Sequence, residues 1–150
     1  MIDIRRITNT AQAIVDNEAL GREHYAEIAL NKQVMVYAPD VDTYARLEEK
    51  GALLTLGAYD GDNLVGYSVN VLTPHLHYRD LLCCHNDMLY LHPDYRQGLL
   101  GVRLIKATKA AAQARGVQFM LWHAKPGTNL DKLLRRLGCA VQDVLYSEVL

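Results

Sequence analysis

The sequence predicts one α/β domain of the α+β kind, with elements in the order β, α, α, β, β, β, α, β, α, β. Three observations carry this. Two apolar runs, Ala52 to Tyr59 and Leu64 to Leu72, enclose Asp60-Gly61-Asp62-Asn63, the pattern of an antiparallel hairpin. The apolar period then changes to helical spacing from Leu99 to Arg115, through Val102, Leu104, Ile105, Thr108 and Ala112. Finally, Gly51, Gly116 and Gly138 stand where helices should stop.

The remaining elements follow in order. Ile2, Ile4 and Ile7 alternate with polar positions as a first strand, and Thr8 to Thr10 can cap a helix from about Ala11 to Leu20. Glu23 to Met35 fits neither period cleanly. Pro39 and Asp40 precede a helical pattern in Val41, Tyr44, Ala45 and Leu47. Pro74 to Asp80, rich in His and Tyr, breaks regular structure before a strand from about His85 to Leu91 that ends at Pro93. Val117 to Trp122 reads as a strand, Asn129 to Leu137 as a short helix, and Ala140 to Val149 as a final strand.

The chain has 150 residues and half of them are apolar, the common size for one domain spanning residues 1–150. Sixteen Lys and Arg against seventeen Asp and Glu give a formal charge of −1, which argues against a nucleic-acid or anionic membrane partner. Met1 to Thr10 lacks the apolar run of a secretory signal, and no later run has membrane-spanning length, so a soluble cytoplasmic protein is expected. Cys83, Cys84 and Cys139 have neither disulfide nor zinc spacing and read as reduced packing residues; no metal site is expected.

The segment with most chemical content is Leu89-Tyr90-Leu91-His92-Pro93-Asp94-Tyr95-Arg96-Gln97-Gly98-Leu99-Leu100-Gly101, followed at once by the amphipathic helix. A strand feeding a helix through a glycine-bearing turn points free backbone N–H groups and the positive end of the helix dipole into one concavity, which suits a pyrophosphate. Gly98 and Gly101 allow close approach or positive φ, and Arg96 can add charge-assisted hydrogen bonds. Glycine in such a turn also has a purely structural use. No Gly-Lys-Ser/Thr follows, so the turn is not a P-loop, and it lacks the spacing of a dinucleotide fingerprint.

The run from Leu91 to Arg96, with its glycine turn and long helix, resembles motif A of the GCN5-related N-acetyltransferases (GNAT), written Q/R-x-x-G-x-G/A. Arg96 matches the first motif position and Gly101 the last, whereas Leu99 occupies the middle glycine and Gly98 lies one place early. The variant is similar to the R-x-G-x-x-G form of small phage-encoded members. The resemblance implies a mixed, mostly antiparallel central sheet of about six to seven strands, flanked by about four helices and with splayed central strands. It implies that acetyl-CoA is the cosubstrate, that Leu89, Tyr90 and Leu91 contact pantetheine, and that Gln97, Gly98, Leu99, Leu100, Gly101 and Val102 hold the pyrophosphate.

Transfer of an acetyl group to an amine needs a neutral nucleophile, a polarised carbonyl and routes for two protons. Members of the family often carry an acid near Asp87 as the base, and strand alternation places Asp87 on one face with Leu89 and Leu91; its structural alternatives are a strand cap or an ion pair. His85 falls on the same alternating face and can relay protons, and His123 lies near the end of the strand after the helix. His75, His77 and His92 read as loop or surface residues, and Lys125 as a solvated lysine.

The family's acid, a Tyr in the following helix, falls by resemblance on Leu134; Tyr146, Tyr90 or water can serve in its place, and a thiolate of pKa about 8.5 also leaves without full protonation. Asn129 contacts pantetheine or caps the helix. The expected activity is acyl-CoA-dependent N-acetyl transfer by direct attack in a ternary complex, to a small-molecule or protein amine. The alternative is an inactive acyl-CoA-binding or protein-interaction module of the same fold. A nucleic-acid accessory role, suggested only by Lys125, Lys132, Arg135 and Arg136, is disfavoured by the near-neutral charge. A homodimer is left open.

Overall fold

Apolar and charged residues alternate from Ile2 to Ile7 and form β1 (Ile2–Ile7), at one edge of the sheet. The computed structural model describes residues 1–150. Next come α1 (Thr10–Asp16), α2 (Glu18–Ile28) and α3 (Val41–Glu49). The helix expected from Ala11 to Leu20 is broken at Asn17, whose side-chain amide donates to the Ala13 carbonyl at 2.9 Å. Helix then resumes from Glu18 to Ile28 and takes in the first part of the Glu23 to Met35 segment whose period is mixed. Asp40 caps α3, accepting from the Thr43 N–H at 3.0 Å and the Thr43 hydroxyl at 2.7 Å.

β2 (Leu53–Asp60) and β3 (Asn63–Pro74) are the hairpin, turning at Gly61 with φ of 61°. β3 pairs antiparallel with β4 (Leu82–Leu91), which starts before the expected His85 because Leu82, Cys83 and Cys84 continue the ladder with Pro74, Thr73 and Leu72. Beyond it lie α4 (Leu100–Ala114), β5 (Phe119–Leu121) and α5 (Asn129–Arg136). The sheet order is β1-β2-β3-β4-β5, with every pairing antiparallel except β4 with β5.

Five strands and five α-helices thus realise the mixed α/β class, with fewer strands than the resemblance implied. The difference lies at the end. No strand forms from Ala140 to Val149; residues 140–150 are exposed and make no hydrogen bond. Val144, Leu145 and Tyr146 are consecutive, which breaks a period of two, and β5 offers only a three-residue edge to pair with.

The sheet has a helix layer on each face. α4 contributes Leu104 and Ala112 to a core with Leu54, Leu56, Leu72, Cys84 and Val117. On the other face Leu20 of α2 and Tyr44 and Leu47 of α3 pack on Leu53, Tyr67, Val69 and Tyr90. Cys83 and Cys84 are buried free thiols, and burial pushes the Cys84 thiol up to about 11, which keeps it unreactive. No helix is long and apolar enough to cross a membrane.

Candidate functional site

The site begins with a fault in β4. Val69 pairs with Met88 and Asn70 with Asn86, which leaves Asp87 without a partner as a β-bulge. The lost ladder bonds are replaced from within. The buried Asn86 amide donates to Asn70 Oδ1 at 2.9 Å, to the Met88 carbonyl at 3.2 Å and to the Val69 carbonyl at 3.4 Å, while Asn70 donates to the Leu54 carbonyl at 2.9 Å.

The bulge resets the alternation. Leu89 packs into the core beneath α4 and Leu91 beside Leu100, whereas Asp87 reaches Tyr44 of α3 on the opposite face. The shared face expected for Asp87, Leu89 and Leu91 is therefore not formed, because one extra residue inverts the phase of everything after it. His85 stays with Asp87: it lies opposite Val71, which lines the same cavity as Asp87.

The bulge also opens the sheet. β4 pairs with β5 only from Cys83 to His85, and Asn86 to Leu91 have no partner on that side. His92 N–H donates to the Val65 carbonyl of β3 at 2.8 Å, so by alternation the backbone groups of Leu89 and Leu91 face the gap. Tyr90 is buried on the α2 side, its ring stacked 4.6 Å from His24.

At the end of the gap lies the glycine turn. Gly98 takes φ of 84°, and Leu99, 72% exposed, stands at the cap position of α4 without a side chain that could cap it. The first helical bond is Arg103 N–H to the Leu99 carbonyl at 2.9 Å. The N–H groups of Gln97, Gly98, Leu99, Leu100, Gly101 and Val102 consequently have no protein acceptor. There is no acidic residue in the first turn of α4, and a Cβ on Gly101 would meet nothing within 4 Å. Leu100, by contrast, is buried under the turn and anchors the helix start.

Arg96 is held on the flank. Its guanidinium donates to both carboxylate oxygens of Glu27 on α2, at 2.9 and 2.5 Å, and its Nε donates to the Leu91 carbonyl at 2.7 Å. This pairing holds the Glu27 carboxyl below its usual range and raises Arg96. Asn129 is exposed at the first turn of α5, but the cap is Thr128, which accepts from the Asp131 N–H at 3.3 Å.

On the α3 side, Pro39, Asp40, Thr43, Tyr44, Leu47, Val71 and Asp87 line a cavity of about 270 Å³. Tyr44 Oη donates to Asp87 Oδ2 at 2.5 Å, and burial together with that carboxylate raises the phenol so that it keeps its proton. The His85 and His123 rings stack with centroids 6.3 Å apart. Burial, then the charges of His123 and His75, lower His85, which favours a neutral imidazole. Leu134 is buried, Tyr146 lies in the exposed tail, and a second cavity between α2 and Tyr37 lies apart from these groups.

Tyr44, Asn86 and Glu27 are the polar residues that sequence reading passes over. Tyr44 counts there only as an apolar helix position. Asn86 carried a signal, an amide in the polar triplet His85-Asn86-Asp87 that interrupts an apolar run. Glu27 carried none, since its partner is 69 residues away.

Comparison with known proteins bears on this arrangement. No curated protein matches the chain. Among solved structures it is similar to an aminoglycoside acetyltransferase, HMB0005, from an uncultured soil metagenomic sample, at 16% identity and a TM-score of 0.75 over 99% of this chain and 97% of that one. It is similar also to the aminoglycoside acetyltransferase meta-AAC0020, from the same kind of source and in complex with sisomicin, at 14% identity and a TM-score of 0.75 over 99% and 96%. A ribosomal-protein-alanine N-acetyltransferase from Brucella melitensis biovar Abortus 2308 shares 20% identity with a TM-score of 0.67 over 99% and 98%. At these identities the likeness is one of fold. The sequence itself goes further: residues 19–139, which include the hairpin, the bulged strand, the turn and both later helices, match the profile described as Acetyltransferase (GNAT) family, and the chain belongs to that family.

Proposed function

We propose that the protein is an N-acetyltransferase that moves the acetyl group of acetyl-CoA to an amine by direct attack in a ternary complex. The observation that supports this best is the row of six backbone N–H groups from Gln97 to Val102 without a protein acceptor, at the positive end of α4. A pyrophosphate fits that cradle, because neither a cap side chain nor a first-turn acid competes for it and Gly101 leaves the approach open. In this reading Leu89 and Leu91 offer main-chain groups to pantetheine along the gap, Tyr90 sits between them with its ring packed on α2, Arg96 borders the turn in its pair with Glu27, and Asn129 stands at the start of α5. Acetyl-CoA supplies the activated acyl group.

Asp87 is the candidate base. It faces the α3 cavity from the bulge beside the gap, where an amine held in the cavity could lose its proton before attacking. His85, lowered toward its neutral form, and His123 are candidate relays. Proton delivery to the departing thiolate needs no dedicated acid, since a thiol of ordinary pKa, about 8.5, leaves readily. The acceptor is an amine on a small molecule or protein. The complex of a structural neighbour with sisomicin is in keeping with the former. We place the reaction in the cytoplasm, and the variant turn links the chain to small phage-encoded members.

Leu134 favours a second reading, an inactive acyl-CoA-binding module, because a packed leucine occupies the position of the usual acid. Calorimetry with acetyl-CoA, followed by turnover of an amine library, separates the two. Binding with turnover supports the enzyme, and binding without turnover supports the module. If wild type binds no acetyl-CoA, or Gly101→Trp leaves its affinity unchanged, the cofactor placement is wrong.

A further inference from the structure

α2 presents Glu23, His24 and Glu27 on one side, and each meets the end of β4 or the turn beyond it. Glu23 and Glu27, four residues apart, are neighbours on the helix surface. Glu27 grips Arg96 through two hydrogen bonds, His24 stacks on Tyr90, and Glu23 Oε2 lies 3.5 Å from His92 Nε2. Tyr90 and His92 are alternate positions at the end of β4, and Arg96 follows four residues later at the entry to the glycine turn.

The Arg96 contact is the most specific of the three. Its guanidinium lies 5.3 Å from the Tyr90 ring centroid, its Nε holds the Leu91 carbonyl, and its other two nitrogens are taken by Glu27. One planar side chain therefore joins the last residue of β4 to α2, directly before the N–H groups of Gln97 to Val102. An Arg free to meet an anion would need no carboxylate across both its terminal nitrogens.

We propose that Glu27 is a positioning residue for the cofactor turn: through Arg96 it fixes the turn against α2, so that the free N–H groups converge on the pyrophosphate. The inference rests on the acetyl-CoA reading of that turn. Glu27 touches no reacting atom; it acts through Arg96, and its contribution to the site is geometric. Preorganised donors bind an anion more tightly than donors that must be gathered on binding.

Electrostatics alone predicts the opposite sign, which makes the proposal sharply testable. Removing an acid near an anion site should tighten anion binding. On the proposal, Glu27→Gln weakens acetyl-CoA binding by about tenfold, the scale of one lost charge-assisted hydrogen bond. Arg96→Gln does the same, and the double variant is no weaker than either single one, because the pair acts as a unit. Glu27→Asp recovers part of the affinity. Calorimetry with acetyl-CoA on the four variants and wild type, with thermal melts to show that each is folded, reads all of this.

Glu27→Gln binding that equals or exceeds wild type, with wild type itself binding, overturns the positioning role and leaves the cofactor reading standing. Additive losses in the double variant overturn it too, since they mean that Arg96 reaches the ligand independently of Glu27. Absence of binding by wild type instead removes the cofactor reading on which the inference rests.

Discussion

Tyr44 of α3 donates its phenolic proton to Asp87 of the β4 bulge at 2.5 Å, a contact between residues 43 positions apart that closes one wall of the cavity beside α3. Asp87→Asn is expected to lower kcat by about a hundredfold, the usual scale for a lost base, with acetyl-CoA affinity unchanged. Tyr44→Phe should raise the acceptor KM and cost about 1 kcal/mol in urea unfolding. The phenol is raised by burial and by Asp87, so a basic limb in the rate profile should persist in Tyr44→Phe. Full activity of Asp87→Asn across the pH range removes the base assignment.

Gly98 offers a test of the turn that does not touch the helix. At φ of 84°, an added Cβ meets no neighbour, so the cost of Gly98→Ala is conformational, about 1 kcal/mol. If the turn holds its shape, stability falls by that amount; if the turn relaxes out of the left-handed region, stability is kept and acetyl-CoA affinity is lost instead. Urea unfolding and calorimetry on the same variant distinguish these, and no change in either contradicts the assigned geometry.

His24 ties acid stability to one side chain. Burial, partly opposed by Glu27, lowers it from 6.5 to about 4, with its Nδ1 2.8 Å from Tyr67 Oη. The folded state therefore prefers the neutral ring, and between those values the unfolded chain binds more protons. Stability from this group is complete above about pH 6.5 and is lost as pH falls toward 4, on the order of 3 kcal/mol in all. His24→Phe should flatten that part of the stability curve measured by urea unfolding. An equal slope in the variant would show that another group carries it.

Asn86 should be among the more sensitive core positions. Asn86→Ala leaves Asn70 Oδ1 and the backbone carbonyls around the bulge without their donor, at a cost of about 2 kcal/mol. Hydrogen exchange at Asp87 and Met88 should accelerate along with it. Unchanged exchange there would mean that the bulge does not depend on the amide.

Local chemistry was legible in the sequence and distant pairing was not. The hairpin at Gly61, the caps and stops at Asp40, Gly51, Gly116 and Gly138, and the helix from Leu100 each depend on residues a few positions apart. The bulge depends on β3 across the ladder: nothing within β4 marks the extra residue, and alternation counted through Asp87 gives the wrong face for Leu89 and Leu91. Glu27 and Arg96, or Tyr44 and Asp87, meet only because α2 and α3 both cover the same face of the sheet. The C-terminal strand was over-read for the converse reason, since apolar residues from Val141 to Val149 have no adequate edge to complete.

The bulge finally makes the length of β4 a constraint in its own right. Cys84 and Leu89 share one core although an odd number of positions separates them, and only the extra residue reconciles their parity. Deletion of Asp87, the one residue between Asn86 and Met88, would leave every later residue in the chain and yet exchange their faces, turning Leu89 and Leu91 away from α4 and Tyr90 away from α2. The strand thus behaves as a frame-sensitive message: a substitution alters one position, but a missing residue would turn over every side chain that follows.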